Sequence, residues 1–179
     1  MTFANDRKLG EMGYCYCGEL EERITMNNYE KELSNYLKRY IQSAKHMIFE
    51  QSCHSVAEAA LAANATPEEL VKSICMVGMD DTFIVAIVRG TDRASTSRVG
   101  KALGTDRPRL ATPEEILTHT KFPCGGTPSF GYSATFLVDT KVAEGESLIT
   151  GGGSENSLVK VDTKDMLRAN NGRIVRVRK

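Results

Sequence analysis

The spacing of apolar residues along the chain predicts helices and strands that are interspersed. Apolar residues recur at helical spacing over residues 29–41, which predicts an amphipathic first helix. Two nearly continuous apolar runs, at residues 71–77 and 83–89, flank a short polar segment with a glycine and predict a β-hairpin. The other predicted helices lie at residues 55–63, 95–103, 112–119 and 162–169, and residues 66–69 are predicted to start a short helical turn. The other predicted strands lie at residues 46–50, 135–139, 147–150, 158–161 and 173–177.

The starts of several predicted helices carry capping signals. Ser55 and Glu58 have the spacing of a capping box, and Thr112 followed by Pro113 is typical of a helix N-terminus. Because the predicted hairpin makes two neighbouring strands antiparallel, a purely parallel sheet is excluded. The pattern therefore favours an α+β domain, with a mixed sheet and helices packed outside it.

The length of 179 residues fits one domain with its own core. Residues 1–27 lack a clear periodic pattern, and we interpret them as a loosely ordered N-terminal extension ahead of a domain over residues 28–179. Cys15 and Cys17 in this extension could form half of a metal site, but no second pair has ligand spacing.

The charge balance restricts the possible partners. Lys plus Arg and Asp plus Glu both number 23, so bulk charge does not favour binding to long nucleic acid, although a local grip on one end stays possible. The sequence shows no signal peptide and no apolar run near twenty residues, which predicts a cytoplasmic protein without a membrane partner. A basic C-terminal run is either a solvated end or a contact for a phosphate backbone. Its residues are Arg173, Arg176, Arg178 and Lys179.

A loop rich in glycine and proline, at residues 121–131, is the strongest candidate for a binding site. Its three glycines leave backbone N–H groups open to a ligand, and its two prolines make the turn rigid. A second glycine run, Gly151 to Gly153, follows a short apolar segment. We expect the two loops to face each other across one ligand.

Lys72 is a single charged residue near the start of a strand that is otherwise almost apolar. By strand alternation it shares a face with Ile74 and Met76, and both faces are apolar enough for a central strand. A buried ammonium group is costly unless an anion or polar group meets it. Lys72 therefore either points into a pocket that takes a phosphate or carboxylate, or lies at the strand mouth with its amine in water.

Cysteines offer two further possibilities. Cys124 could act as a nucleophile, although His119, five residues upstream, lies beyond a predicted helix end; a thiol that only lines the pocket is the alternative. Cys53 and His54 could form a metal pair or belong to a loop that enters a helix.

Six short blocks occur in the order and at the distances typical of one family. They are Ser55-Val-Ala-Glu-Ala-Ala60, Leu70-Val-Lys-Ser73, Lys101-Ala-Leu-Gly104, Ala111-Thr-Pro-Glu-Glu115, Gly125-Gly-Thr-Pro-Ser-Phe-Gly131 and Gly151-Gly-Gly153. Over residues 30–172 the chain thereby resembles the YbaK/ProX family of free-standing aminoacyl-tRNA deacylases, which are similar to the editing domain inserted in bacterial prolyl-tRNA synthetases.

The resemblance implies a trans-editing enzyme that hydrolyses the ester between a wrong amino acid and the 3′-terminal adenosine of a tRNA. Ala-, Cys-, Ser- and Thr-tRNA are the expected substrates, with tRNA(Pro) as the first candidate. It also implies a curled, half-barrel-like mixed sheet of about six to seven strands, no metal or cofactor, and an aminoacyl-tRNA synthetase as a further partner. A non-catalytic module that binds tRNA ends or aminoacyl ligands is the alternative, and the oligomeric state stays open.

By the same match, Lys72 falls on the family lysine that holds the terminal nucleotide or the amino-acid end of the substrate. Gly125 and Gly126 fall on the loop whose backbone amides face the scissile ester, so these three residues are expected to be catalytic. The expected substrate-binding residues are Phe49, Ile74, Thr127, Pro128, Ser129, Phe130, Gly131, Gly151, Gly152 and Ser157.

Three of these positions depart from the family pattern. Members commonly have proline where Ser129 stands, some have an acidic residue at the position of Ser157, and some have tyrosine near Phe49. These differences affect the geometry of the glycine loop and the choice of substrate, and no carboxylate role is transferred to Ser157.

Overall fold

The structure is a computed structural model that describes residues 26–179. The predicted N-terminal extension, apart from its last two residues, and the Cys15–Cys17 pair lie outside the described residues. Within residues 26–179 the chain forms six helices and eight strands, which confirms the predicted α+β class. The helices are α1 (Asn28–Tyr40), α2 (Val56–Ala62), α3 (Thr96–Leu103), α4 (Pro113–Thr120), α5 (Thr140–Ala143) and α6 (Thr163–Asn170). The strands are β1 (Lys45–Ile48), β2 (Val71–Val77), β3 (Phe83–Arg89), β4 (Arg109–Leu110), β5 (Thr135–Val138), β6 (Ser147–Gly151), β7 (Ser157–Asp162) and β8 (Arg173–Ile174).

The strands form two sheets that meet at one point. The larger has the order β4-β2-β3-β5-β8, in which β2 and β3 form the predicted antiparallel hairpin while β3, β5 and β8 run parallel. The smaller is antiparallel, with the order β1-β7-β6. A parallel bridge between Leu70 and Ile149, with a 2.8 Å hydrogen bond from the Ile149 N–H to the Glu69 carbonyl, joins the two sheets.

Both faces of the hairpin are covered, which explains its nearly continuous apolar runs. On one face Val85 packs with Leu33 of α1 and Met166 of α6, and all three side chains are fully buried. On the other face Val99 of α3 and Val177 of the C-terminal segment are fully buried. None of the helices in residues 26–179 has the length and apolar character that a membrane span requires.

Residues 66–69 form a single turn, as predicted. The Glu69 carboxylate accepts hydrogen bonds from both the N–H and the hydroxyl of Thr66, which closes a single turn. A helix cannot continue from there, because the Leu70 carbonyl accepts from the Gly90 N–H and Leu70 bridges to Ile149. Sheet pairing therefore ends the turn at Leu70.

Several boundaries differ from the prediction. The elements β4 and α5 were not predicted, because a two-residue strand and a one-turn helix carry no periodic signal. Helix α6 begins without a side-chain hydrogen bond from Asp162, although a capped start was expected. The two short edge strands bring the total to eight, against the six to seven expected.

The C-terminal strand is shorter than predicted because Asp139 replaces a strand partner. The carboxylate of Asp139, which is fully buried, accepts hydrogen bonds from the backbone N–H groups of Val177 and Arg178, each at 2.9 Å. It also accepts from the Lys141 N–H at 3.0 Å and pairs with the Arg178 guanidinium. Burial raises the pKa of Asp139, but these hydrogen bonds outweigh it, so the pKa lies below its usual value.

We expect Asp139→Asn to lower the free energy of unfolding by roughly 2–4 kcal/mol, because it breaks a buried ion pair and one or more of its hydrogen bonds. Urea unfolding at pH 7 measures the loss. Asp106→Asn, which changes an exposed carboxylate, is the matched control and should shift stability by less than about 0.5 kcal/mol. Equal effects of the two substitutions would contradict the anchoring role.

Candidate active site

A cavity of about 250 Å³ lies where the start of the hairpin meets α2, α4, β6 and the glycine-rich loop. Most of its lining side chains are apolar, and the polar groups among them are few. Among the described residues that line it there is no carboxylate. The aliphatic lining residues are Val56, Ala59, Leu70, Val71, Ile74, Ile116, Ile149 and Leu158, and the polar ones include Lys72, Ser73, Thr127, Thr150 and His54.

Lys72 lines this cavity and is only partly exposed. Within residues 26–179 its amine has no hydrogen-bond or ion-pair partner. Burial lowers the pKa of Lys72, the nearby charge of Arg93 lowers it further, and Asp92 opposes both. The cavity therefore contains an amine without a direct ion pair, and Asp92 is the nearby opposite charge.

The two glycine loops contact each other directly. We define the first glycine loop as residues 123–131 and the second as residues 151–156. The Gly153 N–H donates to the Gly126 carbonyl at 2.8 Å, and a Cβ at Gly126 would lie 2.5 Å from the Ser154 nitrogen. A Cβ at Gly151 would lie 2.6 Å from the Thr127 carbonyl oxygen. The two loops thus contact each other backbone to backbone. From the sequence we had instead expected them to face each other across a ligand.

The first glycine loop presents two free amides beside the cavity. Gly126 was expected to supply one, but its N–H donates to the Pro123 carbonyl at 3.1 Å. Gly125 and Thr127 both line the cavity, and no acceptor within residues 26–179 meets either N–H. Gly125 has φ +94°, a conformation that glycine adopts readily and other residues rarely do.

Ser129, at the position where the resembled family commonly has proline, joins three parts of the site through hydrogen bonds. Its buried hydroxyl lies 3.0 Å from the Ser73 hydroxyl in β2 and 2.8 Å from the Thr150 hydroxyl in β6. The Ser73 hydroxyl also donates to the Pro128 carbonyl at 3.2 Å, and the Asn170 side chain donates to the Ser129 carbonyl at 2.9 Å. Ser73 and Thr150 line the cavity, so this buried network holds two cavity walls together.

Other expected substrate-binding residues lie away from the cavity. Phe130 is fully buried and stacks on Tyr36 in the core, with ring centroids 6.1 Å apart. Phe49 is half-buried beside a separate surface groove at residues 48–51. Pro128, Gly131 and Gly152 likewise do not line the cavity.

Ser157 is the first residue of β7 and is buried beside the second glycine loop, where its hydroxyl accepts from the Ser154 N–H at 3.1 Å. The Ser154 hydroxyl, 3.0 Å from that of Ser157, donates to the buried carboxylate of Glu30 at 2.5 Å. The Glu30 carboxylate of α1 therefore reaches the loop next to the position where some members of the family have an acidic residue. The capping box of Asn27 and Glu30 was a local signal for this side chain, but not for its tertiary contact.

His54 was expected either in a metal pair or in a loop that enters a helix. It lies in the loop before α2 and lines the cavity beside the first glycine loop. A Cβ at Gly125 would lie 2.9 Å from the His54 Nδ1. His119 instead stacks on Phe83, 4.4 Å between centroids, and is not among the cavity residues, so the structure does not bring it to Cys124. In the described part of the chain no group of three or more His, Cys, Asp or Glu side chains is placed to hold a metal ion.

Comparison with known proteins decides the family. The family model of the aminoacyl-tRNA editing domain matches residues 50–169. The chain belongs to this family. The match confirms the resemblance found in the sequence, and it contains all the residues described above as lining the cavity.

Individual relatives agree with this assignment. The editing domain is 22% identical to proline–tRNA ligase of Thermotoga neapolitana over 84% of this chain and 26% of that protein, so it spans about a quarter of the ligase. It is 23% identical to the uncharacterized protein YwhH of Bacillus subtilis over 66% of this chain and 76% of that protein. Its fold matches a solved structure described as a proposed trans-editing enzyme for prolyl-tRNA synthetase, with a TM-score of 0.80, 22% identity and coverage of 87% of this chain and 99% of that one.

The second glycine loop contains a pH-sensitive contact. His46 Nε2 lies 2.8 Å from the Gly152 carbonyl, and its buried Nδ1 has no partner within residues 26–179. Burial lowers the pKa of His46, while the Gly152 carbonyl and the charge of Glu30 oppose this weakly. Between the lowered pKa and the ordinary value near 6.5, the unfolded chain binds more protons than the folded one.

Stability should therefore fall as the pH decreases below about 6.5. We expect the loss of unfolding free energy between pH 8 and pH 5.5 to be smaller in His46→Gln than in the native chain, measured by urea unfolding. The exposed His54 provides the control, His54→Gln, which should keep the native pH dependence. The same pH dependence in all three proteins would contradict this role of His46.

Proposed function

We propose that this editing domain is a trans-acting aminoacyl-tRNA deacylase, which hydrolyses the ester of a mischarged tRNA. The observation that carries the proposal is the cavity in which an unpaired Lys72 and the free amides of Gly125 and Thr127 come together. These groups complement a substrate that has an anionic phosphate and an ester carbonyl. Membership of the aminoacyl-tRNA editing family supports this reaction class.

The chemistry follows from what the cavity contains and lacks. With no carboxylate among its described lining residues, the site has no carboxylic general base, and catalysis depends on positioned water and on stabilisation of charge. Water attacks the ester carbonyl carbon, and the Gly125 and Thr127 amides donate to the developing oxyanion. Each such donor contributes about 3–4 kcal/mol where oxyanion donors have been removed in other enzymes.

The tetrahedral intermediate then collapses to the free amino acid and the tRNA. The ribose oxygen leaves and takes up a proton, for which the neighbouring ribose hydroxyl is the relay nearest to the reacting atoms. An aminoacyl ester is already activated, so positioning within the cavity supplies much of the remaining acceleration. Lys72 binds the terminal nucleotide or the amino-acid end and fixes the ester against the first glycine loop.

The size of the cavity restricts the aminoacyl group. A volume of about 250 Å³ lies below the range of roughly 300–1,000 Å³ for pockets that enclose drug-sized ligands. A small side chain such as that of alanine, cysteine, serine or threonine fits this space. Because relatives of this chain include proline–tRNA ligases, tRNA(Pro) is the first tRNA to test. Selection by size alone is worth about 1–3 kcal/mol per methylene.

Hydrolysis of Ala-, Cys-, Ser- and Thr-tRNA(Pro) tests the proposal. We expect the native chain to hydrolyse at least one of these esters and Lys72→Met to lower kcat/KM about 10- to 100-fold, which is the value of one hydrogen bond to a charged group. Lys164→Met, which removes an exposed lysine of α6, is the control and should behave like the native chain. Survival of every ester with the tRNA still bound would favour the non-catalytic binding module.

The same variant should be more stable than the native chain. The pKa of Lys72 is lowered in the folded state, so the charged amine is less favourable there than in the unfolded chain at neutral pH. Removing the charge removes this penalty, and thermal unfolding of Lys72→Met at pH 7 should show a raised Tm. A lowered Tm would show that the amine stabilises the fold and would weaken its assignment to substrate.

A further inference from the structure

The zero net charge of the chain conceals a strong separation of charge. Residues 89–109 and 173–179 together contain ten Lys or Arg residues and only two acidic residues, Asp92 and Asp106. Since the whole chain has 23 of each sign, the rest of it has 13 basic and 21 acidic residues. The excess of positive charge is therefore confined to two segments.

The fold brings these two segments together on one side of the molecule. The Ser95 N–H donates to the Val177 carbonyl at 2.7 Å, and the Lys179 N–H donates to the Arg93 carbonyl at 2.8 Å. The Arg173 guanidinium donates to the Ala102 carbonyl at 2.8 Å. Helix α3 and the C-terminal segment thus form one continuous surface.

Most of the cations on this surface are available to a partner. Arg109 and Arg178 are excluded, because they pair with Glu115 and Asp139. The other cations that are exposed define the surface that we call the basic face. They are Arg93, Arg98, Lys101, Arg107, Arg173, Arg176 and Lys179.

A cleft in the basic face has the chemistry of a phosphate contact. Its volume is about 600 Å³, and its lining includes Arg107, Lys179 and the hydroxyl residues Ser95, Thr96 and Ser97. The Arg107 Nε donates to the Thr96 hydroxyl at 2.5 Å, which fixes this guanidinium at the cleft. Guanidinium, ammonium and hydroxyl groups are the side chains that most often bind the phosphates of nucleic acids.

The basic face begins beside the cavity of the candidate active site. Arg89 pairs with Val71 across the hairpin, and the Gly90 N–H donates to the Leu70 carbonyl at 2.7 Å. Leu70 and Val71 both line the cavity. The chain therefore passes directly from the cavity wall to Arg93 and the start of α3.

We propose that the basic face binds the phosphate backbone of the acceptor stem while the aminoacyl end occupies the cavity. This inference rests on the proposed function, because a cavity of about 250 Å³ admits only the end of a tRNA and leaves the stem to cross the adjacent surface. A membrane is a poorer partner. In residues 89–110 and 173–179 only two large apolar side chains are exposed, Ile174 and Leu110 at the cleft, whereas a membrane-surface helix presents a whole apolar face.

The test compares charge reversal on the basic face with charge reversal elsewhere. The variant Arg98→Glu/Arg176→Glu changes two exposed residues, and a glutamate at position 98 has the capping-box spacing from the Ser95 N-cap, so α3 should stay folded. Lys31→Glu/Lys164→Glu makes the same change in net charge at exposed positions of α1 and α6. The probe is an RNA minihelix without an aminoacyl group, which has the acceptor stem of tRNA(Pro) and its CCA end. Its binding is measured by fluorescence anisotropy over a range of salt concentrations.

We expect Arg98→Glu/Arg176→Glu to weaken binding of the minihelix at least tenfold in 0.1 M salt, while the control pair binds within about twofold of the native chain. The slope of log K against log salt should become shallower by about 1–2 in the first variant, since each phosphate contact contributes roughly 0.7–0.9. Because the minihelix carries no ester, this result does not depend on turnover, and an inactive protein that still binds through this face would refute only the deacylase.

Three results would overturn the inference. One is equal binding by the native chain and Arg98→Glu/Arg176→Glu, and another is the same loss in the control pair, which would indicate net charge alone. The third is tighter binding to vesicles of anionic phospholipid than to the minihelix, which would assign the basic face to a membrane surface.

Discussion

The direct backbone contact between the two glycine loops is the constraint on which the site depends. Gly126 and Gly151 have no room for a Cβ, because each would meet a backbone atom of the other loop within 2.6 Å. The first loop belongs to the segment between α4 and β5, and the second connects β6 to β7 of the smaller sheet. Their contact therefore fixes one sheet against the other and sets the position of the Gly125 and Thr127 amides at the cavity.

The polar groups around this contact divide into structural and available ones. The hydroxyls of Ser73, Ser129 and Thr150 satisfy one another, and the carboxylate of Glu30 is held by α1 and the second glycine loop. Buried polar groups that are fully paired make a site rigid without taking part in chemistry. What stays available at the cavity includes the Lys72 amine, the His54 imidazole and the backbone amides of Gly125 and Thr127. The amine and the two amides can bind an anion and stabilise a developing negative charge.

Much of this architecture could be predicted from sequence, for identifiable reasons. The hairpin of β2 and β3 and the capped starts of α2 and α4 follow from local patterns, and Lys72 stands out because a charge interrupts an apolar strand. The cavity role of His54 and the link from Glu30 to Ser154 could not be predicted, because both depend on residues that are distant along the chain. The end of the turn at residues 66–69 likewise depends on tertiary structure, since it is set by the pairing of Leu70 with Ile149.

The net charge was the least reliable guide to the partner of this chain. A net charge of zero argues against a nucleic-acid partner, but in the fold many of the cations lie on one side. The basic C-terminal run was visible in the sequence, but its neighbour around α3 was not, because only tertiary pairing brings the two together. Proline at the family position would have removed the Ser129 hydroxyl that joins β2 to β6 in this chain. The departures from the family pattern therefore have structural roles of their own.

The central claim is that the Gly125 and Thr127 amides, with Lys72, receive the aminoacyl end of the substrate. The most direct measurement is an NMR titration of ¹⁵N-labelled protein with an adenosine whose 3′ oxygen is replaced by an alanyl amide, which resists hydrolysis. The account predicts that the amide resonances of Gly125 and Thr127 shift on binding, and that the shifts are lost in Lys72→Met. Binding that leaves both resonances unchanged would contradict it.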